Sequence, residues 1–201
     1  MSQHGHDSLA ALLAHDDSPA AQRSALKRRA IALLARREHS RAELMRKLQT
    51  PPAPRRRRQP GAEAHPPPQP PSPALVQSVL DELAELRLLS DQRMAESLVR
   101  SGASRFGAAR LSQELQRKGL SGQLVADALA PLAETERERA QEVWQRRFGQ
   151  PPTSLKERAR QYRFLQGRGF PARIVSAVVP GVCDADAADD DEWADGAGLP
   201  D

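Results

Sequence analysis

Shifted by 49 residues, the sequence overlies itself: Leu75-Val76, Leu80 and Leu83-Ala84-Glu85 fall on Leu124-Val125, Leu129 and Leu132-Ala133-Glu134. A shift of 50 then brings Leu115, Lys118, Gly119, Leu120 and Leu124 onto Leu165, Arg168, Gly169, Phe170 and Ile174. Apolar positions three and four apart, recurring at such a period, mark a helical repeat in which each unit covers its neighbour's apolar face. The glycines match as well as the leucines, so the ends of the repeating helices are specified along with their bodies. Few Ile, Val or aromatic residues are present to build a sheet, whereas Ala, Leu, Arg, Glu and Gln favour helices. The fold class is therefore all-α.

Capping chemistry divides the chain into three units of three helices. The first holds helices near 23–37, at 41–49 after Ser40 with Glu43 three residues on, and at 73–88 after Ser72-Pro73. The second starts at Asp91 behind Ser90, ends its middle helix at Gly119, and has Ser121 placed to cap its last. The third begins at Thr135, restarts at Ser154 with Glu157, stops at Gly169 and resumes after Phe170-Pro171. The expected modules span 23–89, 90–133 and 134–180, stacked as an elongated solenoid. Disordered tails are expected at 1–22 and 181–201. Most of the seventeen prolines lie between Thr50 and Pro73, with Arg55, Arg56, Arg57 and Arg58 at the crest. That stretch reads as an extended insertion into the first module, either a spacer or a polyanion-gripping arm.

All thirty Lys and Arg residues fall between Arg23 and Arg173, against fifteen of the twenty-six acids; seven of the other acids crowd between Asp184 and Asp195. A body this basic attracts a polyanion or an acidic protein groove. The acidic tail can either solubilise the chain or compete for the basic surface. The basic residues recur in equivalent helices: Arg41, Arg46 and Lys47; Arg110, Arg117 and Lys118; Lys156, Arg160 and Arg163. The last three form a stripe beside an apolar stripe of Leu155, Ala159, Tyr162 and Leu165. Tyr162 and Phe170 fall at core positions, so contact with a nucleic-acid backbone is favoured over base stacking on aromatics.

Catalytic and cofactor motifs are missing from this pattern. Gly167-Arg168-Gly169 lacks the third glycine of a phosphate loop and follows a helix, and the histidines His4, His6, His15, His39 and His65 are scattered. No cofactor, metal or enzymatic activity is expected. The single Cys183 excludes an internal disulfide, and no apolar run reaches the roughly 20 residues that cross a bilayer. A soluble cytoplasmic protein with no membrane contact is expected.

Four stretches carry a family resemblance: Arg36-Arg37-Glu38-His39-Ser40-Arg41-Ala42-Glu43-Leu44 with Lys47-Leu48; Leu88-Leu89-Ser90-Asp91; Gly107 with Glu114-Leu115 and Lys118-Gly119-Leu120; and Phe164-Leu165 with Arg168-Gly169-Phe170. In their order and spacing, over about 23–180, the chain resembles the RecX family of bacterial recombination regulators. The resemblance implies curved tandem three-helix modules. They would lie in the groove of a RecA filament on single-stranded DNA and limit ATP hydrolysis, filament growth and strand exchange. It makes a monomer with weak non-specific DNA binding the expected form, and adds Arg168 to the candidate contacts. The Pro/Arg insertion and the acidic tail depart from the family pattern. The competing reading is a helix-turn-helix-like DNA-binding regulator, which needs one recognition helix carrying base-reading side chains. Here the basic residues are spread over three units instead.

Overall fold

The computed structural model describes residues 18–51 and 70–182. Arg55, Arg56, Arg57 and Arg58, Cys183 and the acidic segment from Asp184, like residues 1–17, lie outside the described residues. Among the described residues nine α-helices are present: α1 (Pro19–Leu34), α2 (Arg41–Gln49), α3 (Pro73–Glu85), α4 (Asp91–Gly102), α5 (Ala108–Arg117), α6 (Gln123–Leu129), α7 (Glu136–Arg147), α8 (Leu155–Gly167) and α9 (Ala172–Val178). A short 3-10 turn, Ala130–Leu132, follows α6. No strand occurs among the described residues, so the protein is all-α as expected. The chain divides into two compact units, 1–94 and 95–201, and the division falls inside α4.

Helix starts follow side-chain chemistry. Ser18, Ser40, Ser72 and Ser154 accept from Ala21, Glu43, Leu75 and Glu157 backbone N–H groups at 3.2, 3.1, 3.2 and 3.2 Å, and Ser90 accepts from Arg93 at 3.2 Å. Each bond satisfies a donor that the first helical turn leaves without a partner. Ser18 with Pro19 moves the start of α1 ahead of the expected residue 23. Ser121 does not cap α6; Gly122, at φ 62°, occupies the cap position without a side-chain bond. Thr135 precedes α7 but makes no cap bond, and its hydroxyl instead accepts from Arg139 at 3.3 Å.

Helix ends explain the repeat. Leu88, Leu120 and Phe170 return their N–H groups to Leu83, Leu115 and Leu165 carbonyls at 2.9, 3.1 and 3.3 Å. In each case the chain reverses through a left-handed residue: Arg87 (φ 56°), Gly119 (φ 82°) and Gly169 (φ 84°). This is the Schellman arrangement, and positive φ is why glycine recurs at two of the three positions. The 49-residue match also holds in burial, for Val76 and Val125 are both buried, as are Leu83 and Leu132. Pro131 interrupts the second copy, so α3 is continuous where α6 gives way to the 3-10 turn.

In the N-terminal unit, α1, α2 and α3 close over Leu26, Ala30, Leu44, Leu48, Val76, Val79, Leu80, Leu83 and Leu89. In the C-terminal unit, α7, α8 and α9 enclose Ala140, Val143, Trp144, Leu165, Phe170, Val175, Val178 and Val179. Each buried Leu, Val or Phe contributes about 1.5–3 kcal/mol. The stripe expected on α8 is corrected in part. Leu165 is fully buried, but Leu155 is 77% exposed, and Gln161 takes the inward position at 1% exposure. Trp144 Nε1 donates to Gln161 Oε1 at 2.8 Å, which removes the penalty of burying that amide.

Candidate nucleic-acid interface

Two backbone segments of the C-terminal unit meet at van der Waals limit. Gly107 N donates to the Arg168 carbonyl at 2.9 Å, and a Cβ on Gly107 would stand 2.3 Å from the Gly169 carbonyl oxygen. A Cβ on Gly169 would stand 2.6 Å from the Arg110 nitrogen. Neither contact leaves room for a side chain, so both glycines are required by proximity. The same junction caps α5 from a distance, since Glu136 Oε1 accepts from Ala108 N at 2.9 Å. Glu136 is thereby satisfied although buried, and its charge faces the positive end of the α5 dipole.

The loop 103–106 before this junction is held by arginines through its carbonyl oxygens. Arg139 donates to Ala103 and Phe106 at 3.1 and 3.0 Å and to Leu132 at 3.0 Å. Arg146 donates to Ser104 at 2.5 Å, and Arg168 reaches Arg105 at 3.4 Å. Burial lowers the Arg139 pKa, though an arginine stays charged at neutral pH.

On the outer side of the loop, the Arg110, Arg105 and Arg168 guanidinium carbons lie 4.5, 5.3 and 5.6 Å from the Phe106 ring centroid. Arg168 also covers Phe164 at 4.7 Å. Three cations around one ring lie no more than about 11 Å from one another. At that outer limit mutual repulsion costs roughly 0.4 kcal/mol per pair in a water-like dielectric, and more at shorter range. Each ring contact returns about 0.5–1 kcal/mol, enough to hold the cluster together. Arg105, Arg110, Arg146 and Arg168 have no carboxylate partner among the described residues. An open cleft of about 320 Å³ adjoins Arg110; its polar lining is Arg110, Gln113, Arg117 and Gln166, and Ala109, Phe170 and Pro171 are among its apolar lining.

The candidate residues are thus distributed unevenly. Arg110 and Arg117 share the cleft, and Arg168 joins them across Phe106. Arg117 lies 3.7 Å from Glu114, and Lys118 is half-buried where α5 ends. Lys156, Arg160 and Arg163 are all exposed on α8. In the N-terminal unit, Arg46 and Lys47 line a groove of about 490 Å³, with Lys47 3.8 Å from Glu43. Arg41 is committed internally, since its backbone N–H donates to Asp91 at 2.7 Å and its guanidinium pairs with Asp81. Arg105, Arg139 and Arg146 were not singled out by spacing, and Phe106 is the aromatic that organises the cluster. The sequence signal available was a lone Phe directly after Arg105 and four residues before Arg110.

Residues 90–129 match the second three-helix domain of RecX, and residues 134–179 match the third. The regulatory protein RecX of Leptothrix cholodnii is 46% identical over 154 residues, covering 77% of this chain and 87% of that protein. The chain belongs to the RecX family. The RecX protein of Ralstonia nicotianae is 44% identical across 83% of this chain and 91% of its own length. That of Pseudomonas syringae pv. tomato is 42% identical across 78% and 91%. A RecX crystal structure from Lactobacillus salivarius shares the fold, with a TM-score of 0.59 at 18% identity over 79% of this chain and 95% of that one. A second crystal structure of regulatory protein RecX also scores 0.59, covering 89% of this chain and 79% of its own. The Gly107–Gly169 contact therefore joins the second and third RecX domains of this chain. No helix among the described residues is long and apolar enough to cross a membrane.

Proposed function

We propose that the protein regulates the RecA recombinase, binding RecA filaments on single-stranded DNA and restraining ATP hydrolysis, filament extension and strand exchange. The observation that carries this reading is membership of a regulatory-protein family over most of the chain. The Arg110 guanidinium at the cleft and those of Arg105 and Arg168 on the Phe106 ring, without carboxylate partners among the described residues, support it, because a filament built on DNA presents phosphate to whatever lies along it. The regulation is by binding, in the cytoplasm, and uses no cofactor. The unit of action is a monomer of three modules, 23–89, 90–133 and 134–180. Arg46 and Lys47 of the N-terminal unit, and Lys156, Arg160 and Arg163 of the C-terminal unit, supply further contacts in addition to those at the cleft.

The test is RecA ATPase on single-stranded DNA with and without the purified protein. Turnover is expected to fall as the protein approaches stoichiometry with filament sites, with no ATP hydrolysis by the protein alone. Unchanged turnover at a few-fold molar excess overturns the reading.

A further inference from the structure

The start of α8 leaves an apolar face without a partner among the described residues. Leu155 is 77% exposed, and with Arg158, Ala159, Tyr162 and Arg163, three and four residues apart on one side of the helix, it lines an open groove of about 400 Å³. Lys156, Arg158 and Arg163 have no carboxylate partner among the described residues. The one acid of α8, Glu157, is turned back to accept from the Thr153 N–H and hydroxyl at 2.9 and 3.0 Å. The chain also leaves the fold along this face. Arg158 Nε donates to the Pro180 carbonyl at 3.1 Å, two residues before the described chain stops at residue 182.

We propose that the acidic segment 184–195 docks on α8 of its own chain, with Trp193 in the groove over Leu155, Ala159 and Tyr162 and carboxylates on Arg158 and Arg163, and so closes this face to other partners. The groove asks for two chemistries at once, an apolar group on its floor and negative charge at its rim. The segment carries both, because Asp189, Asp190, Asp191 and Glu192 run directly into Trp193. An indole buries a large apolar surface, and its face also attracts a guanidinium. A simple polyanion would meet the rim and leave Leu155 in water. Reach is sufficient: Trp193 lies eleven residues beyond Val182, which span about 36 Å when extended, whereas the thirteen residues of α8 span about 20 Å. Tethering beside Arg158 raises the local concentration of the segment to the order of millimolar, so contacts too weak to join separate molecules suffice within one. At the start of α8 the helix dipole favours the same negative charge.

The test is fluorine NMR on the full chain carrying 5-fluorotryptophan. Neither recombinase nor nucleic acid is present, so the outcome is independent of the reading under the previous heading. The two tryptophans give two signals, which Trp193→Phe assigns. The Trp193 signal should be displaced from that of a free peptide of residues 184–201. It should move towards the peptide position between about 0.1 M and about 1 M salt, as the screening length falls from about 10 Å to about 3 Å. Leu155→Asp removes the apolar floor and repels the acids, and should return the Trp193 signal to the peptide position. The substitution is at an exposed residue in the first turn of α8, where an acid is favoured, so the signal of buried Trp144 should stay in place. Should Trp144 move, Arg163→Glu, at an exposed residue of the same groove, is the variant that decides, and the same return is expected. A parental Trp193 signal that coincides with the free peptide overturns the proposal and leaves the face to another molecule. A displaced signal that both variants leave in place overturns it as well, because the segment then docks elsewhere. A displacement that disappears on dilution overturns the contact within one chain and assigns the groove to the segment of a second copy.

Discussion

The two compact units use arginine in opposite ways. In the N-terminal unit six cations are paired with acids: Arg23 with Glu82 at 2.8 Å, Arg37 with Glu43 at 2.5 Å, Arg93 with Glu38 at 3.1 Å, and Lys27, Arg41 and Lys47 with carboxylates as well. In the C-terminal unit arginines turn to backbone carbonyls and aromatic faces, as Arg139, Arg146, Arg110 and Arg168 do. Pairing with an acid cancels charge. A carbonyl or a ring orients the guanidinium and leaves its charge in place. Similar three-helix architecture therefore yields one region that commits six of its eleven described Lys and Arg side chains to carboxylates and one whose clustered guanidiniums keep their charge.

The contrast can be broken or sharpened by measurement, beginning with the largest effect. Gly169→Val should destabilise the C-terminal unit by about 3 kcal/mol or more, combining left-handed strain with overlap of Arg110 backbone. Urea unfolding followed by Trp144 fluorescence reads this directly. Next, Arg139→Gln should cost about 2 kcal/mol through three part-buried carbonyls left with a poorer donor, whereas Arg41→Gln, at an exposed ion pair, should cost under about 0.5 kcal/mol. Equal losses would erase the distinction between the units.

A third prediction concerns pH. His39, buried in the N-terminal unit, has its pKa lowered, first by burial and then by the charge of Arg37, with the neighbouring Glu43 opposing. Its folded value lies below the unfolded value of about 6.5, so the unfolded chain takes up more protons as pH falls through that range. Stability is complete above about 6.5 and declines below it until the folded value is reached. The urea midpoint by circular dichroism should therefore drop between about pH 7.5 and about pH 5.5, and drop less in His39→Gln. An equal drop in both proteins would place the titration elsewhere. The smallest effect is a gain: Arg87→Gly relieves a non-glycine left-handed residue and should stabilise the N-terminal unit by about 0.5 kcal/mol.

The helix ends were legible because caps are local chemistry. Ser40 with Glu43, Ser72-Pro73 and Ser154 with Glu157 act where they stand in sequence, and Gly119 and Gly169 sit where the chain must turn left-handed. The recurring leucines likewise exposed the repeat. What escaped was set by tertiary partners. Gln161 looks like a surface residue until Trp144 supplies its hydrogen bond, and Leu155 looks like core although nothing covers the start of α8. Arg110, Arg117 and Arg168 could be chosen by charge, but their convergence depends on Phe106 and on two glycines 62 residues apart. Single positions do not encode a meeting of that kind. Arg41 shows the converse, since its guanidinium is paired with Asp81 and its backbone N–H with Asp91, residues from later helices.

The contact between Gly107 and Gly169 bears on how such a chain can be recombined or redesigned. Each glycine exists for the other's backbone, one in the second RecX domain and one in the third. A third domain transplanted behind a foreign second domain will dock only if its new neighbour has a residue without a side chain at the matching place. These two domains are therefore inherited as one cassette, and exchange between family members should not separate them at a boundary between residues 129 and 134.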